Sequence, residues 1–188
     1  KAHIAVHHYK KVLIENPKLP NAHNNIAVAY KNIGYLDRAE DHLKKAIKLK
    51  PDFAQAYNNL GNVLNNYNNL NGAREAFQEA IKIKPDFAEA YWNLSSTAES
   101  ISEAKKWVQR CLEANSKHLK AKLTLSALRF YEGDKSDFNQ VLKSSLKDHP
   151  YTRSFAWAFS LPKLPPLHFF RWALFDSIID LSKKDRPF

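Results

Sequence analysis

The chain has 188 residues, of which 44% are hydrophobic and 26% are charged, so it can bury a core and disorder is not expected. Only 4 glycines and 1 cysteine occur, which excludes collagen-like sequences, disulfide frameworks and Cys-rich zinc sites and favours helix. No stretch approaches the roughly 18 apolar residues of a membrane span. We therefore expect a cytoplasmic protein without a membrane partner.

The net charge of +10 is spread unevenly. Residues 1–50 contain ten Lys or Arg and four Asp or Glu, which leaves +6. Lys44, Lys45 and Lys48 cluster within an amphipathic helical pattern, where they are expected to form the solvated face. A nucleic-acid site would instead combine such a patch with aromatic or Arg contacts to bases. We therefore predict no nucleic-acid partner.

The first predicted element is a helix in residues 1–16, where Ala5, Tyr9 and Val12 share one face ahead of a proline. It corresponds to the second helix of a repeat whose first helix is missing, so we expect an N-terminal truncation. The unpaired apolar face makes self-association into a homodimer a possible function. The candidate residues are Tyr9, Val12 and Leu13.

Residues 17–50 and 51–84 align over 34 positions without a gap. Each copy has the apolar spacing of two amphipathic helices, with alanines where the helices touch. The sequence Lys-Pro-Asp at 50–52 and at 84–86 separates the copies. Its proline ends one helix, and its aspartate is expected to cap the next.

The third copy, residues 85–117, is shorter. Three residues are expected to be missing from the turn between its two helices. Residues 118–150 fit a degenerate fourth copy, and residues 151–188 form an aromatic-rich tail. The tail contains an amphipathic helix that either covers the end of the repeats or begins a further domain.

These copies resemble the tetratricopeptide repeat family. The resemblance rests on the 34-residue period and on Tyr57, Leu60, Gly61, Leu64, Ala73, Phe77, Ala80 and Pro85. It implies an all-α fold, a right-handed superhelical solenoid of antiparallel helix pairs that ends in the C-terminal amphipathic helix. It also implies a non-catalytic scaffold for protein–protein interaction, with the first helix of each repeat lining a concave groove.

Asparagines recur on the first helices, and Asn25, Asn59 and Asn93 are spaced by 34 residues. A side-chain amide offers donors and an acceptor that match a peptide backbone. The row is similar to the asparagine ladder of O-linked N-acetylglucosamine transferases, which implies an extended peptide or a partner protein in the groove. The alternative is that these asparagines only support packing between helices. The predicted groove residues are Asn24, Asn25, Asn58, Asn59, Asn62, Asn66, Trp92 and Asn93.

Another function stays open, a substrate-recruiting arm of a larger glycosyltransferase or methyltransferase. A clamp for C-terminal carboxylates is not expected, because the groove positions lack Lys and Arg and include Glu89.

No phosphate-binding loop or nucleophile motif occurs, so we predict no catalytic residue and no cofactor. His3 and His7 lack a third ligand, so no metal site is predicted. Cys111 stands where the other copies have alanine and is expected in the core.

Overall fold

The computed structural model describes residues 2–131. The end of the fourth copy after residue 131 and the tail at 151–188, with its predicted amphipathic helix, lie outside the described residues. The helices are α1 Ala2–Glu15, α2 Pro20–Asn32, α3 Leu36–Leu49, α4 Ala54–Asn66, α5 Leu70–Ile83, α6 Ala88–Leu94, a 3-10 helix Ser95–Thr97, α7 Ile101–Ala114 and α8 Leu119–Tyr131.

Antiparallel helix pairs are the units of this fold. The chain divides into two compact units, Lys1–Thr97 and Ala98–Phe188. In the first unit α2 pairs with α3 and α4 with α5, and in the second α7 packs on α8. Short turns join the partners of a pair, which makes them antiparallel neighbours. The predicted all-α fold of helix pairs is confirmed, and residues 2–131 contain no strand. None of their helices has the length and apolar character that a bilayer crossing requires.

The core of the first unit combines small residues with a few large ones. Ile26, Leu43 and Phe77 are completely buried, and each contributes about 1.5–3 kcal/mol by leaving water. Gly61 lets two helices approach closely, because a Cβ at this position would lie 2.5 Å from Cε1 of Phe77. The fully buried alanines of this unit are Ala27, Ala39, Ala46, Ala56, Ala73, Ala80 and Ala90.

The junctions between copies are turns that precede the helices. Helix α4 begins at Ala54, three residues after Pro51. The expectation that Asp52 caps this helix is wrong, because the capping position belongs to Phe53, which makes no side-chain cap bond. Instead the Lys50 ammonium lies 5.3 Å from the centre of the Phe53 ring, and the equivalent pair at the next junction is 5.5 Å apart. A cation–π contact therefore recurs at both junctions.

The third copy is shortened in its first helix and not in its turn, so that expectation is wrong. Helix α6 has 7 residues where α2 and α4 each have 13. The next residues, Ser95, Ser96 and Thr97, form a 3-10 helix in which each hydroxyl donates to the carbonyl three residues earlier, at 2.6, 2.6 and 2.8 Å. Such bonds compete with helical hydrogen bonds and tighten the turn.

A tyrosine connects the ends of two helix pairs. The hydroxyl of Tyr67, just after α4, donates to the carboxylate of Asp37 at the start of α3. Partial removal from water, the hydrogen bond to Asp37 and the negative charge of Asp37 raise the pKa of Tyr67 to about 12. The phenol is therefore a hydrogen-bond donor at neutral pH.

Candidate functional site

Helices α4 and α3 differ sharply in their polar residues, since α4 carries amides and α3 carries charges. Helix α4 has no charged residue, and six of its 13 residues are Asn or Gln. Helix α3, in contrast, contains Asp, Glu, Lys or Arg at seven of its 14 positions. An uncharged hydrogen-bonding surface therefore lies on α4, within a chain whose net charge is +10.

Two amide–amide hydrogen bonds join neighbouring first helices. Asn59 Nδ2 donates to Asn24 Oδ1 at 2.8 Å, which links α4 to α2. Asn93 Nδ2 donates to Asn58 Oδ1 at 2.9 Å, which links α6 to α4. In both bonds the donor lies 35 residues after the acceptor. Adjacent asparagines of one copy therefore bond to different helices, since Asn58 accepts from α6 and Asn59 donates to α2.

The first link continues into a third amide. Asn24 Nδ2 donates to Asn25 Oδ1 at 3.2 Å, so Asn59, Asn24 and Asn25 form an amide chain. Asn24 is only 6% exposed, whereas Asn59 is half-buried and Asn25 is exposed. Gln55 Nε2 lies 3.5 Å from Asn59 Oδ1, too far for a strong bond. Both ends of the amide chain therefore remain accessible.

The second link is closed to solvent. Asn58 is 2% exposed and Asn93 is 3% exposed, as is the neighbouring Trp92. Because buried polar groups need partners, this bond between Asn93 Nδ2 and Asn58 Oδ1 compensates part of the cost of burying the two amides. These three predicted groove residues thus lie in buried surroundings. Asn62 is half-buried and Asn66 is exposed, and both extend the accessible amide face of α4.

The predicted self-association residues lie mostly against the protein's own core. Tyr9 and Leu13 pack on the core cluster of the first unit, and Val12 is half-buried. The accessible apolar residues of α1 are Ile4, 73% exposed, and Ile14, 82% exposed. The helical spacing of α1 correctly marks its packed face, but these two isoleucines were not predicted.

A histidine pair was not predicted from the sequence. The Nδ1 atoms of His23 on α2 and His42 on α3 lie 2.8 Å apart, and His23 Nε2 lies 3.0 Å from the carbonyl oxygen of Pro17. That oxygen can only accept, so His23 carries its proton on Nε2 and accepts at Nδ1 from His42. The His42 ring also stacks on Tyr30, with ring centres 5.6 Å apart.

Burial is the main cause that lowers the pKa of His42 to about 4. The neighbouring His23 and the cations Lys45 and Lys10 act in the same direction, against the weaker opposite effect of Asp41. His42 is therefore neutral at neutral pH, with its single ring proton on Nδ1, where it donates to His23.

The remaining candidates for chemistry in the described part of the chain are histidines and one cysteine. No group of three or more His, Cys, Asp or Glu side chains that could hold a metal ion occurs between residues 2 and 131. His3 and His7 are exposed on α1. Cys111 is completely buried in α7, as the sequence predicted.

Comparisons with known proteins identify the repeat. A family model described as Tetratricopeptide repeat matches residues 54–87, and another described as TPR repeat matches residues 34–66. A search of curated proteins finds no significant match.

Solved structures share the fold. A thermophilic TPR protein of Thermus thermophilus has a TM-score of 0.70 at 16% identity, over 85% of this chain and 89% of its own. MamA of Desulfovibrio magneticus has a TM-score of 0.63 at 18% identity, over 78% of this chain and 84% of its own. An O-GlcNAc transferase of Thermobaculum terrenum has a TM-score of 0.56 at 18% identity, over 60% of this chain and 22% of its own. At these identities the likeness establishes the fold alone.

Proposed function

We propose that this chain, whose residues 34–87 match models of the tetratricopeptide repeat, binds an extended peptide segment of a partner along its first helices, since such repeats are protein-interaction scaffolds. The observation that carries this proposal is the amide face of α2 and α4, where Asn25, Asn59, Asn62 and Asn66 are exposed or half-buried. Amide groups match the donor and acceptor of a peptide unit.

The lack of charge on α4 narrows the kind of recognition. Helix α4 itself offers no partner for an ion pair, so the main chain and polar side chains of the peptide would supply the contacts there. Because screening by salt acts on charges, we expect the affinity to change little with ionic strength. The charged second helices would then serve solubility.

The experiment measures binding of blocked peptides to the full chain by fluorescence anisotropy. The variant Asn62→Ala/Asn66→Ala removes two amides that have no hydrogen-bond partner among the described residues, so its stability should change little. We expect affinity to fall about tenfold, the effect of losing one or two net hydrogen bonds. Gln78→Ala, which removes an exposed amide from α5, is the matched control. Equal affinities of the wild type and the double variant would refute peptide binding on this amide face.

Self-association is a second candidate, favoured by the exposure of Ile4 and Ile14 on α1. Sedimentation should then give a dimer that Ile4→Lys/Ile14→Lys converts to a monomer. A monomeric wild type at high concentration would exclude this candidate. The arm of a larger glycosyltransferase or methyltransferase stays a prediction, because a likeness to a transferase at 18% identity establishes only the fold.

A further inference from the structure

Asn24 lies in the middle of the amide chain and is almost inaccessible. It is 6% exposed, its Oδ1 accepts from Asn59, and its Nδ2 donates to Asn25. A ligand on the surface therefore meets Asn25 and Asn59 but hardly touches Asn24. Any effect of Asn24 on binding must act through its two neighbours.

The two bonds decide what each accessible amide still offers. An amide has two N–H donors and one oxygen acceptor. Asn59 has one N–H committed to Asn24, which leaves its other N–H and its Oδ1, an oxygen that has a long contact of 3.5 Å to Gln55 Nε2 and can accept a second hydrogen bond. Asn25 has its oxygen engaged by Asn24, which leaves both N–H groups. The end at Asn25 is therefore rich in donors, and the end at Asn59 presents the acceptor.

All dipoles of the amide chain point in one sense, because each amide donates to the next in the order Asn59, Asn24, Asn25. Hydrogen bonds arranged head to tail polarise and strengthen one another. The surface therefore has a direction, which a row of independently rotating amides would lack.

We propose, building on the proposed function, that Asn24 is a positioning residue that fixes the orientation of the Asn25 and Asn59 amides and thereby selects the direction of the bound peptide. A peptide carbonyl would lie at the Asn25 end and a peptide N–H at the Asn59 end. The ligand class is an extended main chain with free N–H groups, so proline and N-methylated residues are excluded at that point.

The residues of the third and fourth copies at the positions of the bonded asparagines support the role of the amide–amide bonds. The position equivalent to Asn24 and Asn58 is Trp92, which offers no amide acceptor. The position that would donate to it in the fourth copy is Thr124, whose hydroxyl donates to the Lys120 carbonyl at 2.8 Å. Both members of the next link are thus replaced together, which is expected if they act as a pair.

The first part of the experiment needs no ligand. Side-chain amide signals of Asn25 and Asn59 are recorded by ¹⁵N NMR for the wild-type chain, for Asn24→Leu and for the control Gln78→Ala, which removes an exposed amide from α5. We expect Asn24→Leu to shift both signals and to abolish the protection from hydrogen exchange of the Asn59 N–H that donates to Asn24, while the control leaves both signals unchanged. Unchanged Asn25 and Asn59 signals in Asn24→Leu would overturn the positioning role. If Asn24→Leu does not fold, Asn24→Asp keeps the acceptor for Asn59, and only the Asn25 signal should then respond.

The second part uses a blocked, uncharged Ser–Thr peptide and the same peptide with alternate residues N-methylated. For the wild type, N-methylation should weaken binding about tenfold, since it removes donors that Asn59 Oδ1 accepts. For folded Asn24→Leu, binding should be weaker and nearly independent of N-methylation. A purely structural role would lower stability but keep the wild-type sensitivity to N-methylation, and this result would overturn the proposal. Failure of the wild type to bind either peptide, with the NMR shifts present, would refute the proposed function and leave the amide chain intact.

Discussion

Replacing His42 by Asn should remove most of the acid sensitivity of the first helix pair. An Asn amide nitrogen occupies nearly the place of imidazole Nδ1, so the variant can still donate to His23 but has no group that titrates. In the wild type, the half-buried imidazole must gain a proton among His23, Lys45 and Lys10 as the pH falls. The variant keeps the geometry of the pair and removes this cost.

The magnitude follows from the two states of His42. Its pKa is about 4 in the folded chain against 6.5 for an exposed histidine. Between these values the unfolded chain binds more protons, so the free energy of unfolding falls as the pH falls through this window. The full difference sets a ceiling of roughly 3 kcal/mol. Because His42 is only half-buried, solvent screening reduces the expected loss to about 1–2 kcal/mol.

The assay is urea unfolding of wild type and His42→Asn at about pH 7 and about pH 4.5, where the difference between the two chains isolates one residue from the other titrating groups. The wild type should lose about 1–2 kcal/mol more than the variant. Equal losses would refute the reasoning, as would an NMR titration that places the His42 midpoint at the ordinary value for histidine.

Three further outcomes are expected. Gly61→Ala should lower the free energy of unfolding by about 1–3 kcal/mol in urea unfolding, because the new Cβ meets the buried Phe77 ring. The control Gly72→Ala, whose new Cβ meets only a surface side chain, should lower the free energy of unfolding by less. Equal effects of the two variants would contradict this packing. Ser100→Ala should cost about 1 kcal/mol in thermal unfolding, because it removes the acceptor that caps α7; an unchanged melting temperature would contradict it. Ultraviolet titration should place the pKa of Tyr67 at about 12, and identical titration curves for the wild type and Tyr67→Phe near pH 12 would contradict it.

The sequence predicted the helix pairs because each copy buries the same residues at the same positions. The amide–amide bonds escaped this approach for a geometric reason. An alignment of the copies compares residues 34 apart, whereas the bonded asparagines lie 35 apart, as in the link between Asn24 and Asn59. The recurrence of the asparagines could be predicted from the alignment, but the hydrogen-bond partner of each asparagine could not.

Features that occur once have no periodic signal. His23 and His42 correspond to Tyr57 and Ala76 in the next copy, so comparison of the copies could not relate them. The sequence showed that the third copy is three residues short, but not which element is shorter. That element is α6, because the Ser and Thr hydroxyls that follow it bond to the backbone and end the α-helix early. The start of α7, in contrast, has a local sequence signal. Ser100 with a glutamate three residues later forms the start of α7, as such spacing commonly does.

Because the amides lie on α4 and many charges lie on α3, residues of the proposed binding face can be substituted without changing the charge of the protein. Ligand contacts are expected on α4, which has no charged residue, whereas colloidal solubility depends on the ionised side chains of α3. Substitutions at accessible positions of α4, such as Asn62 and Asn66, can therefore alter specificity without reducing the charge that keeps molecules apart. The same arrangement suits the repeat for engineering, because a library restricted to those positions retains both the alanine-rich core and the charged surface.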